Sequence, residues 1–463
     1  MQHVAIAGAG LAGTLLAIAL ARRGYRVDIY ERRPDPRSTR ADLGRSINLA
    51  LSIRGSRALK QVALLEAVLA NSVPMKARAI HSPAGQVAYQ PFGRNADEYL
   101  SAIERHTLNR VLVDAAAAEA NIGLHFNQRL SSVDLSTLTL TLEDRATGST
   151  HQRSCQRLVA ADGAYSAVRG AMVSAGLAQF AVGVPDFGYK ELPISIEQAQ
   201  DMRLECLHLW PRRSFSMIAN PNPDRSFSCT LFMAHDARDP SFARLNEADE
   251  VQALFRQHFP DAFERMPALT TEFFARPTGA IPTVSGGPWF VEDKVLLIGD
   301  AAHALLPFFA QGMNSAFEDC SVLIECLDRC KDRWEQALPA FFQARKANAD
   351  AIADMASQNY REITDYIADD AFLVRKRVEQ ELMRGYPDLY TSMHVLVMFT
   401  TVPYVFAKGC GALQGKLLDA ICGGATSIEQ IHWPAVEPLL KKYAEEARSL
   451  REAIPADQTI GAA

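Results

Sequence analysis

The apolar and polar positions change period twice within the first thirty-one residues. His3 to Ala7 is a short apolar run, and Thr14 to Arg23 is rich in Ala and Leu before Gly24 stops it. Arg26 to Tyr30 alternates, with Glu31 at its end. Period-2 runs predict strands and the Ala/Leu stretch a helix, so the chain opens as one βαβ unit.

Further along, Arg105 to Asn121 has the spacing of a helix, and residues 123 to 150 alternate like strands down to the loop sequence RATGST. Arg157 to Ala161 is another short apolar strand that runs into Asp162-Gly163. Residues 183 to 235 read as strands and turns, with NPNPDR as a hairpin tip. A helix is expected over Asn246 to Phe259, then a buried strand over Val295 to Ile298, and helices nearly to the end after Asn314. The pattern predicts an α/β chain with a second, separate β layer and a helical C-terminal part.

The 463 residues exceed one ordinary domain. With 48% hydrophobic and 22% charged residues, disordered and fibrous classes are excluded. A net charge of -5, without long like-charge blocks, gives no reason to expect nucleic acid. The opening MQHVAIAGAGLAG lacks a basic region before its apolar run, so no secretory leader is expected. Val395 to Ala407 is apolar but too short to span a bilayer, and Pro403 interrupts it. No membrane anchor is expected. The cysteines at 155, 206, 229, 320, 326, 330, 410 and 422 form no C-x-x-C pair. They are expected to be reduced, in a cytoplasmic protein with no metal site.

Gly8, Gly10 and Gly13 form G-x-G-x-x-G between the first strand and its helix. The first glycine permits the turn, the second lets backbone approach a pyrophosphate, and the third packs helix on strand. Glu31 falls where an acid accepts from a ribose hydroxyl. The unit predicts a dinucleotide. Two later motifs also follow strands: Asp162-Gly163, continuing to Arg169, and Gly299-Asp300, continuing through His303. The latter leads into Pro307-Phe308-Phe309-Ala310-Gln311-Gly312-Met313-Asn314, a turn before a helix whose exposed N–H groups suit developing negative charge. His303 is given no proton-transfer role.

These three motifs, in this order, resemble those of the single-component FAD-dependent aromatic hydroxylases. Gly44 to Ser52, Gly188 to Leu192, Leu207 to Pro211, Phe227 to Met233 and Pro307 to Asn314 are similar to the branch that hydroxylates L-kynurenine at position 3. The likeness runs from about Val4 to Ala407. It implies a discontinuous Rossmann-like FAD-binding domain (1–75, 101–180, 283–345), an inserted β-sheet substrate domain (76–100, 181–282) and a C-terminal helical domain (346–463). It implies bound FAD, NADPH as a transiently docked co-substrate, and O2 added to the reduced flavin as a C4a-hydroperoxide. That species would hydroxylate an aryl amine ortho to its amino group. The chemistry is the cofactor's, so no acid–base side chain is expected to be catalytic. The cofactor positions implied are Gly8, Gly10, Ala12, Gly13, Tyr30, Glu31, Arg32, Arg33, Ala50, Arg105, Leu130, Asp162, Gly163, Asp300, Gly312, Met313 and Asn314.

On the substrate side the resemblance implies Arg78 on a carboxylate and Asn359 on the amino-acid head. Phe232, Phe308, Phe309 and Gln311 are expected around the ring. Two positions depart: Phe92 stands where the family has a tyrosine hydroxyl, and His394 where it has a second tyrosine. Losing a hydrogen bond to a charged group costs about 1.5–3 kcal/mol. His394 would restore part of it, most of all when protonated. Two readings follow: a kynurenine hydroxylase with an altered clamp, or the same chemistry on another anthraniloyl or aryl-amine compound. A third class, a flavoprotein that does not hydroxylate, stays open. The Trp-x-Trp-x-Ile signature of halogenase relatives is absent. A homodimer is also left open.

Overall fold

The computed structural model describes residues 2–38, 48–236, 238–362 and 370–461. The chain forms two compact units. The first comprises residues 1–72, 101–185 and 281–353, and the second 73–100, 186–280 and 354–463. The helical C-terminal residues, set apart as a third domain by sequence, are grouped here with the inserted sheet.

The first unit is built on a six-stranded sheet. Its order is Phe290–Val291, Val295–Leu297, Arg157–Ala160, His3–Ala7, Arg26–Tyr30, Ile122–His125, parallel except at the first strand. His3–Ala7 is central and almost wholly buried, as a run of Val, Ile and Ala in a covered parallel sheet must be. The helix Leu11–Arg22 follows it, and Gly24 ends the turn at φ +87°. Helix Arg105–Ala117 stops four residues short of the expected Asn121. That asparagine instead donates its side-chain amide to the carbonyls of Ala21 and Tyr25, each at 2.7 Å. Strand Asn48–Leu51 pairs antiparallel with Leu100–Glu104, Ala50 opposite Ala102. Of the motif Gly44 to Ser52, residues 44–47 lie outside the described residues.

The second unit holds a seven-stranded sheet ordered Gly279–Ala280, Phe187–Ile194, Phe227–Ala234, Phe215–Pro221, Cys206–Arg212, Ala77–His81, Val87–Pro91. Only the pair Cys206–Arg212 with Ala77–His81 is parallel. The expected NPNPDR tip joins two of these strands, closed by Asn222 N–H donating to the Ser226 carbonyl at 2.9 Å. Phe227, Cys229, Leu231 and Met233 pack with Trp210 and Met217 against Phe255, Phe259 and Phe273 from the helices that follow. Side chains alternate along a strand, so Phe232 lies on the opposite face. Arg78 stands opposite Leu207 in the ladder, one residue from His208 and Ala79, and shares that opposite face. Near the C-terminus, Val374, Val378, Leu382, Leu417, Leu440 and Tyr443 form a separate helical core. No helix among the described residues is long and apolar enough to cross a membrane. All eight cysteines are free thiols.

Candidate cofactor cradle and head-group clamp

In the first unit the three motif loops leave the same ends of three adjacent strands. Ala7 is opposite Ala160, and Ala160 opposite Leu297. Ligands of open α/β sheets bind at such carboxyl ends. Gly8 sits at φ +100°, and a Cβ there would come within 2.5 Å of the Ala161 carbonyl oxygen. A Cβ at Gly13 would overlap the carbonyl oxygen of Gly8. Gly10 differs: no atom lies within 4 Å of where its Cβ would be. The same is true of Gly163 and Gly312. The turn glycines are thus required by packing, while Gly10, Gly163 and Gly312 border open space.

Glu31 straps the first loop. One carboxylate oxygen accepts Ala9 N–H and the other Arg33 N–H, each at 2.9 Å. Arg32 and Arg33 are exposed beside it, and Tyr30 is buried and stacked on His125. Ala12 approaches the third loop, since a Cβ on Gly299 would lie 3.6 Å from its methyl group. Asp162 accepts Ala167 N–H at 2.8 Å through Oδ2, while Oδ1 is buried without a hydrogen-bond partner. Burial pushes its carboxyl above the usual range. Arg169, not among the expected site residues, donates to the carbonyls of Ala164 and Ala301 and ties the second loop to the third.

Asp300 is exposed at the start of helix Asp300–His303. Helix Gly312–Arg329 begins at the third of the glycines bordering open space, with buried Gln311 as its N-cap. The N–H groups of Gly312, Met313 and Asn314 have no intrahelical acceptor. The Asn314 side chain is fully engaged: Oδ1 accepts Ser52 N–H, and Nδ2 donates to Ala50 and Ala310 oxygens, all at 2.9 Å. Any bond from Asn314 to a cofactor would therefore come from its backbone. Arg105 is exposed at the start of its helix, and Leu130 is half-buried on strand Gln128–Asp134.

Behind the third loop lies a buried network that sequence reasoning missed. Asp319 accepts from Gly299 N–H at 2.9 Å, His303 Nε2 at 2.6 Å and Arg345 Nε at 2.7 Å. Arg345 also pairs with Glu318, which pairs with Arg54. Burial alone would raise the Asp319 carboxyl, but His303 and Arg345 more than offset it and hold it low. The signal was available: the adjacent acids Glu318-Asp319 fall between Ala316-Phe317 and Cys320 on this helix.

These features fit FAD. Open backbone faces suit a pyrophosphate, the orphaned Asp162 oxygen requires a donor such as a cofactor hydroxyl, and the free N–H groups at Gly312 suit an anionic flavin edge.

In the second unit, Arg78, Phe92 and His394 meet. Arg78 Nη2 lies 2.9 Å from His394 Nε2, and its Cζ is 4.8 Å from the Phe92 ring centroid. The Phe92 and His394 rings are nearly parallel, at 17°, with centroids 6.2 Å apart. Arg78 forms no ion pair with any described residue, and burial pushes its guanidinium down to about 10. Burial, then the charges of Arg78 and Lys376, push His394 well below its ordinary value. The ring is neutral and accepts from Arg78. Lys376, also missed from sequence, pairs with Glu379 at 3.0 Å. Asn359 lies in the last turn of helix Trp334–Arg361, beside Tyr360, whose ring stacks on Phe187 at 4.4 Å. Phe187, Phe232 and Arg78 share one face of the sheet by register. Phe308, Phe309 and Gln311 belong to the first unit. Phe309 is buried and Phe308 half-buried. No metal-holding cluster of His, Cys, Asp or Glu occurs among the described residues.

A family model described as an FAD binding domain matches residues 1–356. A kynurenine 3-monooxygenase of Legionella pneumophila (strain Corby) is 49% identical over 443 residues, covering 96% of this chain and 98% of the relative. One from Myxococcus xanthus is 42% identical over 457 residues, covering 96% and 95%. Among solved structures, a tetrameric form of 2-methyl-3-hydroxypyridine-5-carboxylic acid oxygenase superposes with a TM-score of 0.65 at 23% identity. It covers 84% of this chain and 99% of that one, and shows the shared fold.

Proposed function

Because the chain belongs to the FAD-binding family that includes the kynurenine 3-monooxygenases, we propose that it hydroxylates L-kynurenine ortho to the ring amino group. One atom of O2 enters the ring and the other leaves as water, with NADPH supplying the hydride. When bound, FAD supplies the hydride acceptance and the activation of oxygen.

The chain's own residues bind, orient and shield. Gly8 to Gly13 and Glu31 shape the pyrophosphate and ribose end. Asp162 and Asp300 take cofactor hydroxyls, and the N–H groups of Gly312 to Asn314 hold negative charge on the flavin edge. Arg78 takes the substrate carboxylate, with Asn359 on the amino group. Phe232, on the sheet face that carries Arg78, shields the ring from water.

The observation that carries the reading is Arg78: a guanidinium partly desolvated, beside an aromatic ring and a neutral imidazole, with no ion pair among the described residues. Such a group calls for a carboxylate. The free thiols and the absence of a long apolar helix among the described residues support a cytoplasmic site of action.

The test is product analysis. With FAD, NADPH and O2, L-kynurenine should stimulate NADPH oxidation and gain one oxygen by mass spectrometry. Stimulation only by an aryl amine lacking the amino-acid head would overturn kynurenine as substrate.

A further inference from the structure

Arg78 lies between two rings: Nη2 is 2.9 Å from His394 Nε2, and Cζ sits 4.8 Å above the Phe92 ring centroid. A guanidinium only donates. The imidazole nitrogen 2.9 Å from Arg78 Nη2 must therefore present a lone pair, and Nδ1, at 3.4 Å, carries the proton. Among the described residues, the charged groups acting on this ring are Arg78 and Lys376. Lys376 is held by Glu379 at 3.0 Å and Glu362 at 3.7 Å, and the Tyr390 hydroxyl donates to Glu379 at 3.3 Å. A third positive charge on the ring would face two cations, so the arrangement keeps it an acceptor.

An arginine side chain ends in several freely rotating bonds. One nitrogen held by an acceptor and Cζ held over a ring restrict how the guanidinium can turn. The remaining N–H edge is then ready for a carboxylate without further ordering.

We propose that His394 is a positioning residue that fixes the plane of Arg78, so that carboxylate-bearing aryl amines are selected by a preorganised guanidinium rather than by hydroxyl donors. The proposal rests on the reading that the protein hydroxylates such a substrate.

The test is ligand binding to the FAD-loaded protein, followed by the perturbation of flavin absorbance. Two ligands are compared: L-kynurenine, and its decarboxylated analogue, which keeps the ring and amines. His394→Phe keeps a ring and removes the acceptor. His394→Gln keeps an acceptor. Kd for L-kynurenine should rise about tenfold in H394F, the loss expected for one hydrogen bond to a charged group. The decarboxylated analogue should change by less than about twofold, and H394Q should recover most of the loss. Equal weakening of both ligands, or none, overturns the proposal by making the ring a space filler. A wild-type protein that binds neither ligand overturns instead the reading beneath it. A measurement without a disruptive variant is the imidazole 15N spectrum of histidine-labelled protein, with H394Q assigning the signal. A neutral Nδ1–H tautomer is expected, and an imidazolium or Nε2–H form overturns the proposal.

Discussion

The Asp319 carboxylate accepts the backbone N–H of Gly299 at 2.9 Å, from the helix behind the loop. The same oxygen takes His303, and its partner oxygen takes Arg345. The loop carrying Asp300 is thus fastened by a side chain that a cofactor would never touch. Replacing Asp319 by Asn removes the charge that balances buried Arg345. Breaking one side of a buried pair costs about 3–5 kcal/mol. D319N should melt earlier and retain less FAD, as read by thermal unfolding and by the flavin-to-protein absorbance ratio. Wild-type values for both would show that the network is dispensable.

The glycines of the first loop should separate by what their Cβ meets. Gly13→Ala collides with the Gly8 carbonyl and should destabilise the apoprotein. Gly10→Ala meets nothing within 4 Å, so the apoprotein should fold normally. Its FAD affinity should fall, because the methyl group enters space the pyrophosphate needs. Urea unfolding of both apoproteins, with FAD titration by fluorescence quenching, checks the contrast.

His208 gives a pH dependence. Its Nε2 donates to the Arg203 carbonyl at 3.0 Å and its Nδ1 faces His81 Nε2 at 2.9 Å. Burial pushes it down to about 4. The unfolded chain takes up a proton below about pH 6.5, which the folded chain refuses until about pH 4. Stability should be full above pH 6.5, fall as pH drops towards 4, and then level. The loss approaches about 3 kcal/mol. His208→Gln should flatten that part of the profile, measured as ΔG of unfolding against pH.

Arg78→Gln should raise KM for L-kynurenine about 10- to 100-fold, by loss of a charged hydrogen bond. Phe92→Tyr should lower it several-fold, since it returns a hydroxyl to a ring that lies against the guanidinium. An unchanged KM in F92Y would place the new hydroxyl away from the carboxylate.

The first βαβ unit was legible because each signal was local: an apolar run, three glycines, a helix and a terminal acid. The interleaving of the chain was also legible, through Asp162 and Gly299-Asp300 recurring after strands. The clamp was legible only as residue types. Arg78, Phe92 and His394 lie far apart in sequence, and spacing cannot say which nitrogen faces which. Residue type leaves the imidazole free to donate or accept, and its neighbours make it an acceptor. Asp319, Arg345 and Arg54 were missed for a similar reason, as charge pairing between distant helices leaves no periodic trace. The grouping of the C-terminal helices with the sheet depends on contacts such as Tyr360 on Phe187, which no single segment encodes.

Arg78 and His81 stand three residues apart on one strand, and so on opposite faces. His81 bonds to Asp261 and His208 and stacks on Trp210. A slip of one residue against strand Cys206–Arg212 would drive the guanidinium into the apolar side and turn the imidazole outward. The histidine thus works as a registration pin. A misaligned strand would forfeit those bonds, so the same contacts that seat His81 also fix which way the clamp faces.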